Sequence, residues 1–151
     1  SNAKSMPAME QETEKEAASP ADQGGGVATQ YTGTFLAGTH AKLLDYNALD
    51  YQAALASDKL IVLYFYANWC PVCKKEFPLM QSAFNQLMSD TAVGFRVNYK
   101  DNNTDASEEA LAREFGVGYQ HTKVFIKNGV RILKAPDSWD TARYLKEITA
   151  H

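Results

Sequence analysis

The hydrophobic pattern of the chain is clearest at a long apolar run followed directly by a helical stripe. Leu60 to Ala67 is uninterrupted and rich in β-branched and aromatic side chains, which is typical of a central strand covered on both faces. After it, apolar residues recur at steps of four and three, along one face of a helix: Cys73, Phe77, Met80, Phe84 and Leu87. The pattern predicts a buried strand that leads straight into an amphipathic helix.

Two later segments add a strand and a short helix. Val93 to Tyr99 is apolar enough for a strand, and Asp105 lies three residues before Glu108. That spacing is the signature of a capping box at the start of a helix. We expect this helix to end at Gly116.

The C-terminal part predicts a hairpin and a final helix. Asn128-Gly129 separates the apolar runs 122–127 and 130–133, and this dipeptide is a strong signal for a tight hairpin turn. We expect Asp137 and Ser138 to cap the final helix. Its predicted inward stripe is Trp139, Ala142, Leu145 and Ile148.

Upstream, Ala41 to Leu44 and Ala48 to Ala56 supply a first strand and a first helix. The predicted order is therefore β-α-β-α-β-α, then a β-hairpin, then α. This order predicts an α/β fold with a central mixed sheet, in which parallel strands precede a C-terminal antiparallel hairpin. Helices cover both faces of the sheet.

The first thirty residues have no comparable pattern. Ser1-Asn2-Ala3 has the composition of a tag remnant, and residues 4–30 are rich in Glu, Ala, Ser, Pro and Gly. Such a segment buries too little apolar surface to offset the entropy of ordering it. We expect residues 1–30 to be tag remnant and disordered linker, and residues 31–151 to form the folded domain.

Net charge and composition restrict the partners and the cellular location that we expect. The net charge of −3 carries no basic field, so we expect no nucleic-acid partner. The longest apolar run is far shorter than the ~20 residues of a membrane span. The linker favours an extracytoplasmic protein of the periplasm or cell envelope, tethered to the membrane before its first residue, with a cytoplasmic location as the alternative. We expect a monomer.

The candidate chemistry lies in the two cysteines, Cys70 and Cys73, at the predicted strand-to-helix junction. A disulfide is attacked by a thiolate, and the free N–H groups and dipole of a helix N-terminus favour that charge. Two intervening residues place the second sulfur one turn further in, where it can resolve a mixed disulfide. We expect Cys70 to be exposed and Cys73 to be buried.

Two other uses of a Cys-x-x-Cys pair fit less well. A zinc ribbon needs a second pair, and the chain has two cysteines in all. A purely structural bridge would close a loop of four residues and restrain little of the unfolded chain. Redox chemistry is therefore the favoured interpretation.

The residues around this pair resemble the active site of the thioredoxin family. The resemblance rests on three segments: Tyr66-Ala-Asn-Trp-Cys-Pro-Val-Cys-Lys74, the helix proline Pro78, and the ungapped stretch from Phe115 to Gly129. It covers about Thr39 to Ile148. The likeness implies the thioredoxin fold and thiol–disulfide oxidoreductase activity.

The resemblance also implies roles for individual residues. Cys70 would be the nucleophile and Cys73 the resolving thiol, with no cofactor beyond the redox-active disulfide between them. Trp69, Pro71 and Val72 would shield the sulfur and shape the surface that clients contact.

One departure from the family concerns proton transfer. Thioredoxins carry a buried aspartate six residues before the nucleophile, which helps to move the proton of the resolving cysteine. This chain has Tyr64 at that place, and a tyrosine with a pKa near ~10 is a poor base at neutral pH. The proton must use water, Tyr64 as a relay, or another group.

The second departure is His121, which aligns with the family's cis-proline. Because a non-proline cis bond costs ~2.5–4 kcal/mol, we expect the Gln120–His121 peptide to be trans. By the resemblance, Gln120 would pair backbone to backbone with an extended substrate. We expect His121 to face the sulfurs, and the substitution His121→Pro to restore the family's loop.

Two functions fit these residues. The first is an oxidoreductase that exchanges disulfides with client proteins and is recycled by an upstream electron donor or acceptor protein. The second is a copper or zinc carrier or sensor that uses Cys70, Cys73 and His121 as a three-point ligand set. The direction of electron flow does not follow from the Pro71-Val72 dipeptide.

Overall fold

The structure, a computed structural model, describes residues 30–151 of the chain. Within them, Thr32–His151 forms one compact unit. The predicted tag remnant and linker fall on residues 1–30 and so lie, but for the last residue, outside the described part.

The described residues contain six strands and four helices. The strands are β1 (Phe35–Ala37), β2 (Lys42–Asp45), β3 (Leu60–Tyr66), β4 (Ala92–Asn98), β5 (Lys123–Lys127) and β6 (Val130–Ala135). The helices are α1 (Ala48–Leu55), α2 (Pro71–Gln86), α3 (Ala106–Glu114) and α4 (Thr141–Ala150). No helix in this part of the chain is long and apolar enough to cross a membrane.

The six strands form one mixed sheet in the order β1-β2-β4-β3-β5-β6. Strand β4 runs parallel to both β2 and β3, whereas β1, β5 and β6 pair antiparallel with their neighbours. The predicted α/β fold with a C-terminal hairpin is therefore confirmed.

Strand β3 lies at the centre of the sheet, as its continuous apolar run predicts. Its first six residues are buried, and its register with β4 runs without a shift from Leu60 opposite Ala92 to Tyr66 opposite Asn98. Cys70 follows the last residue of β3 by four positions. The place of β3 in the sheet therefore determines where the cysteines lie.

Helices cover both faces of the sheet. On one face, α2 and α4 pack into a buried apolar cluster that contains Phe84 and Ile148. On the other, Tyr51 of α1 meets Phe95 of β4 edge to face at 6.3 Å. Gly94 lets α2 approach closely, since a Cβ there would lie 2.7 Å from Phe84 Cζ.

The local turn and cap signals of the sequence are borne out. Asp105 and Glu108 form a complete capping box at the start of α3, and Gly116 follows the helix with φ +61°. Asn128 and Gly129 both have positive φ between β5 and β6, as a tight hairpin turn requires.

Two predictions about the ends of the domain need correction. The final helix begins at Thr141 rather than after Ser138, because Asp140 is extended and its side chain accepts the Arg143 N–H. Trp139 is buried ahead of the helix, and Tyr144 and Ile148 form its buried face. Strand β1, only three residues long and partly exposed, was not predicted.

Candidate active site

The two cysteines lie at the start of α2, four residues after β3 ends. Cys70 is the N-cap residue with an extended backbone, and Pro71 takes the first helical position, where a missing N–H leaves nothing unpaired. The Cys73 N–H donates to the Cys70 sulfur over 3.1 Å. The first cysteine therefore caps the helix with its own side chain.

Both cysteines are free thiols and both are buried. The expectation of an exposed Cys70 is wrong, since Cys70 is 1% exposed and Cys73 is 0% exposed. The Cys70 sulfur turns back onto the first turn of α2 to accept the Cys73 amide, which takes it away from the surface.

Burial controls the chemistry of Cys73. It raises the pKa of the Cys73 thiol to about 12, with the neighbouring Cys70 acting in the same direction and a hydrogen bond from the Ala67 backbone opposing it. At neutral pH, Cys73 is therefore a protonated thiol, and it must lose a proton before it can attack a disulfide.

Exposed apolar side chains lie next to the buried cysteines in the chain and in the loop before β5. Trp69 is 53% exposed and is thus no core aromatic, and its indole N–H donates to the Lys100 carbonyl over 2.8 Å. Pro71 and Val72 are also exposed. Tyr119, in the loop before β5, is 66% exposed. Sequence reasoning missed it, although an aromatic residue beside Gln120 was an available signal.

Tyr64 lies under the cysteines and is completely buried. Desolvation, followed by the charge of Glu76 and the proximity of Cys73, raises the pKa of Tyr64 far above its ordinary range. The Tyr64 hydroxyl and the Cys73 thiol shift each other's pKa, yet this hydroxyl has no well-formed hydrogen bond.

A buried ion pair lies in the same region, and sequence reasoning did not find it. The Lys123 ammonium contacts Glu76 Oε2 at 2.7 Å, with the two side chains 0% and 2% exposed. Lys123 also donates to the carbonyl oxygens of His121, at 2.9 Å, and of Asp137. Tyr144 donates its hydroxyl proton to Glu76 Oε2. We call Tyr64, Glu76, Lys123 and Tyr144 the buried polar cluster.

The sequence carried a weak signal for this cluster. Glu76 lies three residues after Cys73, one helical turn further along the buried face, and Lys123 begins a run that is otherwise apolar. Each charge interrupts an apolar pattern, but the two are separated by 47 residues along the chain. Their pairing follows only from the way α2 packs on β5.

His121 closes the site through its backbone. The Gln120–His121 peptide is trans, as predicted, and His121 has φ +53°. Its N–H donates to the Phe65 carbonyl at 2.7 Å, while the Phe65 N–H donates to the Thr122 carbonyl at 3.0 Å. Two residues thus face one across the ladder, which is a β-bulge with a left-handed first residue.

A proline at residue 121 would not fit the bulge as it stands, and the prediction that His121→Pro restores the family's loop stays a prediction. Proline has a φ near −65° and no N–H, whereas His121 has positive φ and donates its N–H to Phe65. Gln120, the predicted substrate-pairing residue, is half-buried, and within residues 30–151 neither of its backbone polar groups is hydrogen-bonded.

The predicted three-point metal set is not assembled. Among the described residues, no three His, Cys, Asp or Glu side chains are placed to hold a metal ion. The His121 ring is half-buried, and its Nδ1 is buried without a hydrogen-bond partner. Within the described residues, Cys70, Cys73 and His121 thus do not form the ligand group that this hypothesis requires, and metal binding stays a prediction.

Comparison with known proteins assigns the family. A family model described as Thioredoxin matches residues 42–150. The chain belongs to the thioredoxin family. The match spans both cysteines and the His121 bulge, and at the level of the family it supports thiol–disulfide oxidoreductase activity.

Individual thioredoxins show how far the similarity extends. Thioredoxin-T of Drosophila melanogaster is 40% identical over 81 residues, which is 54% of this chain and 47% of that protein. Thioredoxin H4 of Arabidopsis thaliana is 40% identical over 77 residues, 50% of this chain and 58% of that protein. The chain thus spans about half the length of these curated relatives.

A solved thioredoxin structure shares the fold. The crystal structure of Malassezia sympodialis thioredoxin has a TM-score of 0.57 and 22% sequence identity, covering 82% of this chain and 96% of that chain. At this identity the similarity concerns the fold alone.

Proposed function

We propose that the protein exchanges disulfides with client proteins, with Cys70 as the nucleophile and Cys73 as the resolving thiol. The observation that carries the proposal is the pair of free thiols at the start of α2, joined by the Cys73 N–H to Cys70 sulfur bond of 3.1 Å. A helix N-terminus favours negative charge, which suits the thiolate that attacks a disulfide.

The exchange has two steps. The Cys70 thiolate attacks one sulfur of a client disulfide, so a mixed disulfide forms and the other client sulfur leaves as a thiolate. Cys73 then loses its proton and attacks the Cys70 sulfur, which forms the Cys70–Cys73 disulfide and releases the second client thiolate. Two electrons pass to the client, whose thiolates take up two protons. The same steps in reverse deliver a disulfide.

The exposed side chains around the thiols suit contact with a client. Trp69, Val72 and Tyr119 offer apolar surface, and aromatic side chains bury a large area at interfaces. The unpaired backbone of Gln120 supports pairing with an extended client segment. Cys70 is 1% exposed. Some of the side chains that cover it must therefore move before a client sulfur can reach the Cys70 sulfur.

The cellular location of the protein and its recycling partner stay predictions from the sequence. The composition of residues 4–30 favours the periplasm or cell envelope, and an electron donor or acceptor protein would recycle the cysteine pair. Fractionation of the source cells, followed by detection with an antibody, separates this location from a cytoplasmic one.

Single-cysteine variants test the proposal. Cys70→Ser should abolish reduction of a peptide disulfide, because no nucleophile remains. Cys73→Ser should accumulate a mixed disulfide that mass spectrometry detects at Cys70, because the resolving step is lost. Ser82→Ala, on the same helix, is the matched control and should keep wild-type activity. Trapping of clients on Cys73 in the Cys70→Ser variant, with the reverse variant inert, would contradict the assigned roles.

A further inference from the structure

The short connection between β3 and α2 is a turn that ends at the first cysteine. In residues 67–70, which we call the cysteine turn, the Cys70 N–H donates to the Ala67 carbonyl over 3.1 Å. Asn68 and Trp69 are the two central residues of this turn. Their contacts with the rest of the protein therefore determine how firmly the turn, and with it Cys70, is held.

The loop that follows β4 supplies those contacts. In residues 100–104, which we call the clamp loop, Asp101 Oδ2 accepts the Asn68 N–H at 2.8 Å. The side-chain oxygen of Asn102 accepts the Asn68 side-chain amide at 2.7 Å. Two consecutive residues of the clamp loop thus hold one residue of the cysteine turn, through its backbone and through its side chain.

We propose that Asp101 is a positioning residue for thiol–disulfide exchange, because it holds the cysteine turn in the conformation that serves both sulfurs. It acts through the Asn68 N–H and touches neither cysteine. This inference rests on the proposed function and adds to it a residue that lies outside the segment of the cysteines.

The Asp101 carboxylate is itself held in place by its own loop. Its Oδ1 accepts the Asn103 N–H at 3.0 Å and the Thr104 hydroxyl at 2.8 Å. The Thr104 hydroxyl oxygen in turn accepts the Asp101 N–H at 3.0 Å. Because these bonds fix the direction of the side chain, Oδ2 is a prearranged acceptor for the Asn68 N–H.

The backbone of Lys100 gives independent support. Its φ of +50° lies in the left-handed region, which is costly for a residue with a Cβ. Such conformations persist where surrounding contacts hold them, and they cluster at functional sites. The Lys100 carbonyl accepts the Trp69 indole N–H at 2.8 Å. The strained residue therefore lies at the point where the clamp loop meets the cysteine turn.

The cysteine turn reaches both sulfurs through the backbone of Ala67. The Ala67 carbonyl accepts the N–H of Cys70, which is the N-cap residue of α2. Burial raises the pKa of the Cys73 thiol to about 12, and a hydrogen bond from the Ala67 backbone opposes that shift. A displaced turn would weaken this bond, so less Cys73 thiolate would form for the resolving step.

Other titratable groups also surround the Cys73 sulfur. They are Cys70 and the buried polar cluster, which come from α2, β3, β5 and α4. Asp101 differs from them because it acts through hydrogen bonds of the turn. A variant that keeps an acceptor oxygen and removes the charge therefore separates positioning from electrostatics.

The experiment uses dithiobis(nitrobenzoic acid), a disulfide whose two aromatic thiolates absorb light when released. Attack by Cys70 releases the first thiolate, at a rate that rises with the concentration of the disulfide. Attack by Cys73 on the mixed disulfide releases the second, at a rate independent of that concentration because the step is intramolecular. Stopped-flow absorbance over a concentration series therefore gives both rates, and a pH series gives their pH profiles.

Asp101→Ala removes the acceptor of the Asn68 N–H. We expect the ratio of the second rate to the first to fall about tenfold at neutral pH, a factor that loss of a hydrogen bond to a charged group can produce. The second rate should reach its wild-type value about one pH unit higher, because a higher pH is needed to form the same fraction of Cys73 thiolate. A lower global stability alone would not shift this pH profile.

Three further variants complete the experiment. Asp101→Asn keeps an acceptor oxygen without the charge and should recover most of the ratio. Asp58→Ala removes an exposed aspartate from the loop before β3 and, as the matched control, should keep the wild-type ratio. Asn102→Ala removes only the bond to the Asn68 side chain and should lower the ratio about threefold. It decides the matter if Asp101→Ala does not fold.

Three results overturn the inference. The first is a wild-type ratio and pH profile in Asn102→Ala and in any folded Asp101→Ala. The second is a ratio in Asp101→Asn as low as that in Asp101→Ala, which would assign the effect to charge. The third is an equal fall in Asp58→Ala. Failure of the wild-type protein to release any thiolate would instead contradict the proposed function, so the two failures are distinguishable.

Discussion

His121 shows how a single backbone conformation can depart from a family pattern without changing the fold. Its N–H closes a bulge opposite Phe65, and its carbonyl accepts from the buried ammonium of Lys123. A positive φ costs a residue with a side chain roughly 1–2 kcal/mol, and here those two hydrogen bonds hold the strained conformation.

The substitution His121→Pro should therefore destabilise the protein by about 1–3 kcal/mol, because the Phe65 carbonyl loses its donor. Proline cannot reach φ +53° and cannot donate to the Phe65 carbonyl. Urea denaturation followed by circular dichroism measures the change. His121→Gly keeps both the N–H and the positive φ, so it should remain within about 1 kcal/mol of wild type. A proline variant as stable as the glycine variant would show that the bulge is dispensable.

Local sequence patterns predicted most features of single residues correctly. The burial of Cys70 was the exception. The capping pair Asp105 and Glu108 and the Asn128-Gly129 turn depend on neighbours within a few residues, so the sequence displays them. The burial of Cys70 depends on the direction in which its sulfur turns at the start of α2. Nothing in the residues around it encodes that choice.

At the scale of elements, the contact between α2 and β4 determines how closely the helix approaches the sheet. Gly94 lies between the Phe84 ring and Leu43, and a Cβ there would lie 2.7 Å from Phe84 Cζ and 2.8 Å from Leu43 Cδ1. Both neighbours are buried in the main apolar cluster, where packing leaves little room to shift.

Gly94→Ala should therefore lower the free energy of unfolding by about 1–3 kcal/mol, the usual range for an overpacked core. Chemical denaturation measures it. Gly118→Ala is the matched control, because a Cβ at Gly118 would meet nothing within 4 Å. Equal stability of the two alanine variants would mean that α2 can move away from the sheet at no cost.

Element prediction succeeded where the periodic pattern was long. The seven residues of β3 and the sixteen of α2 repeat their apolar signal enough to be recognised. The three residues of β1 do not, and they pair because β2 offers a free edge. The start of α4 was misplaced because Asp137 and Asp140 are both good N-cap residues, and the helix begins after Asp140.

At the scale of the whole molecule, Asp50 fixes where the folded unit begins. It is 2% exposed and accepts from the Thr32 N–H at 2.8 Å, the Thr32 hydroxyl at 3.0 Å and the Gly33 N–H at 2.7 Å. These bonds tie the first described residues to α1, and they agree with a compact unit that starts at Thr32.

A pair of truncations tests this boundary. A chain that starts at Gln30 should keep the melting temperature of the full chain, because it keeps every bond to Asp50. A chain that starts at Thr34 should lose about 1–3 kcal/mol, since the buried carboxylate loses three donors. Differential scanning calorimetry measures both. A large loss for the chain that starts at Gln30 would show that residues 1–29 stabilise the domain.

The site as a whole was only partly predictable from sequence. Cys70, Cys73 and their place at a helix start follow from spacing and periodicity. Glu76 and Lys123 are 47 residues apart. Their pairing is a tertiary contact, so it could not be predicted from the sequence pattern around either residue.

The buried ion pair also constrains how this chain can diverge. Loss of either Glu76 or Lys123 alone leaves one uncompensated charge in the interior, at a cost of roughly 3–5 kcal/mol, whereas replacing both with apolar side chains can be neutral. A lineage that descends from this sequence can therefore drift freely at surface positions but cannot lose these two residues one at a time. Selection for stability should therefore couple the two codons, and we expect relatives with this interior to keep both residues or to have exchanged both.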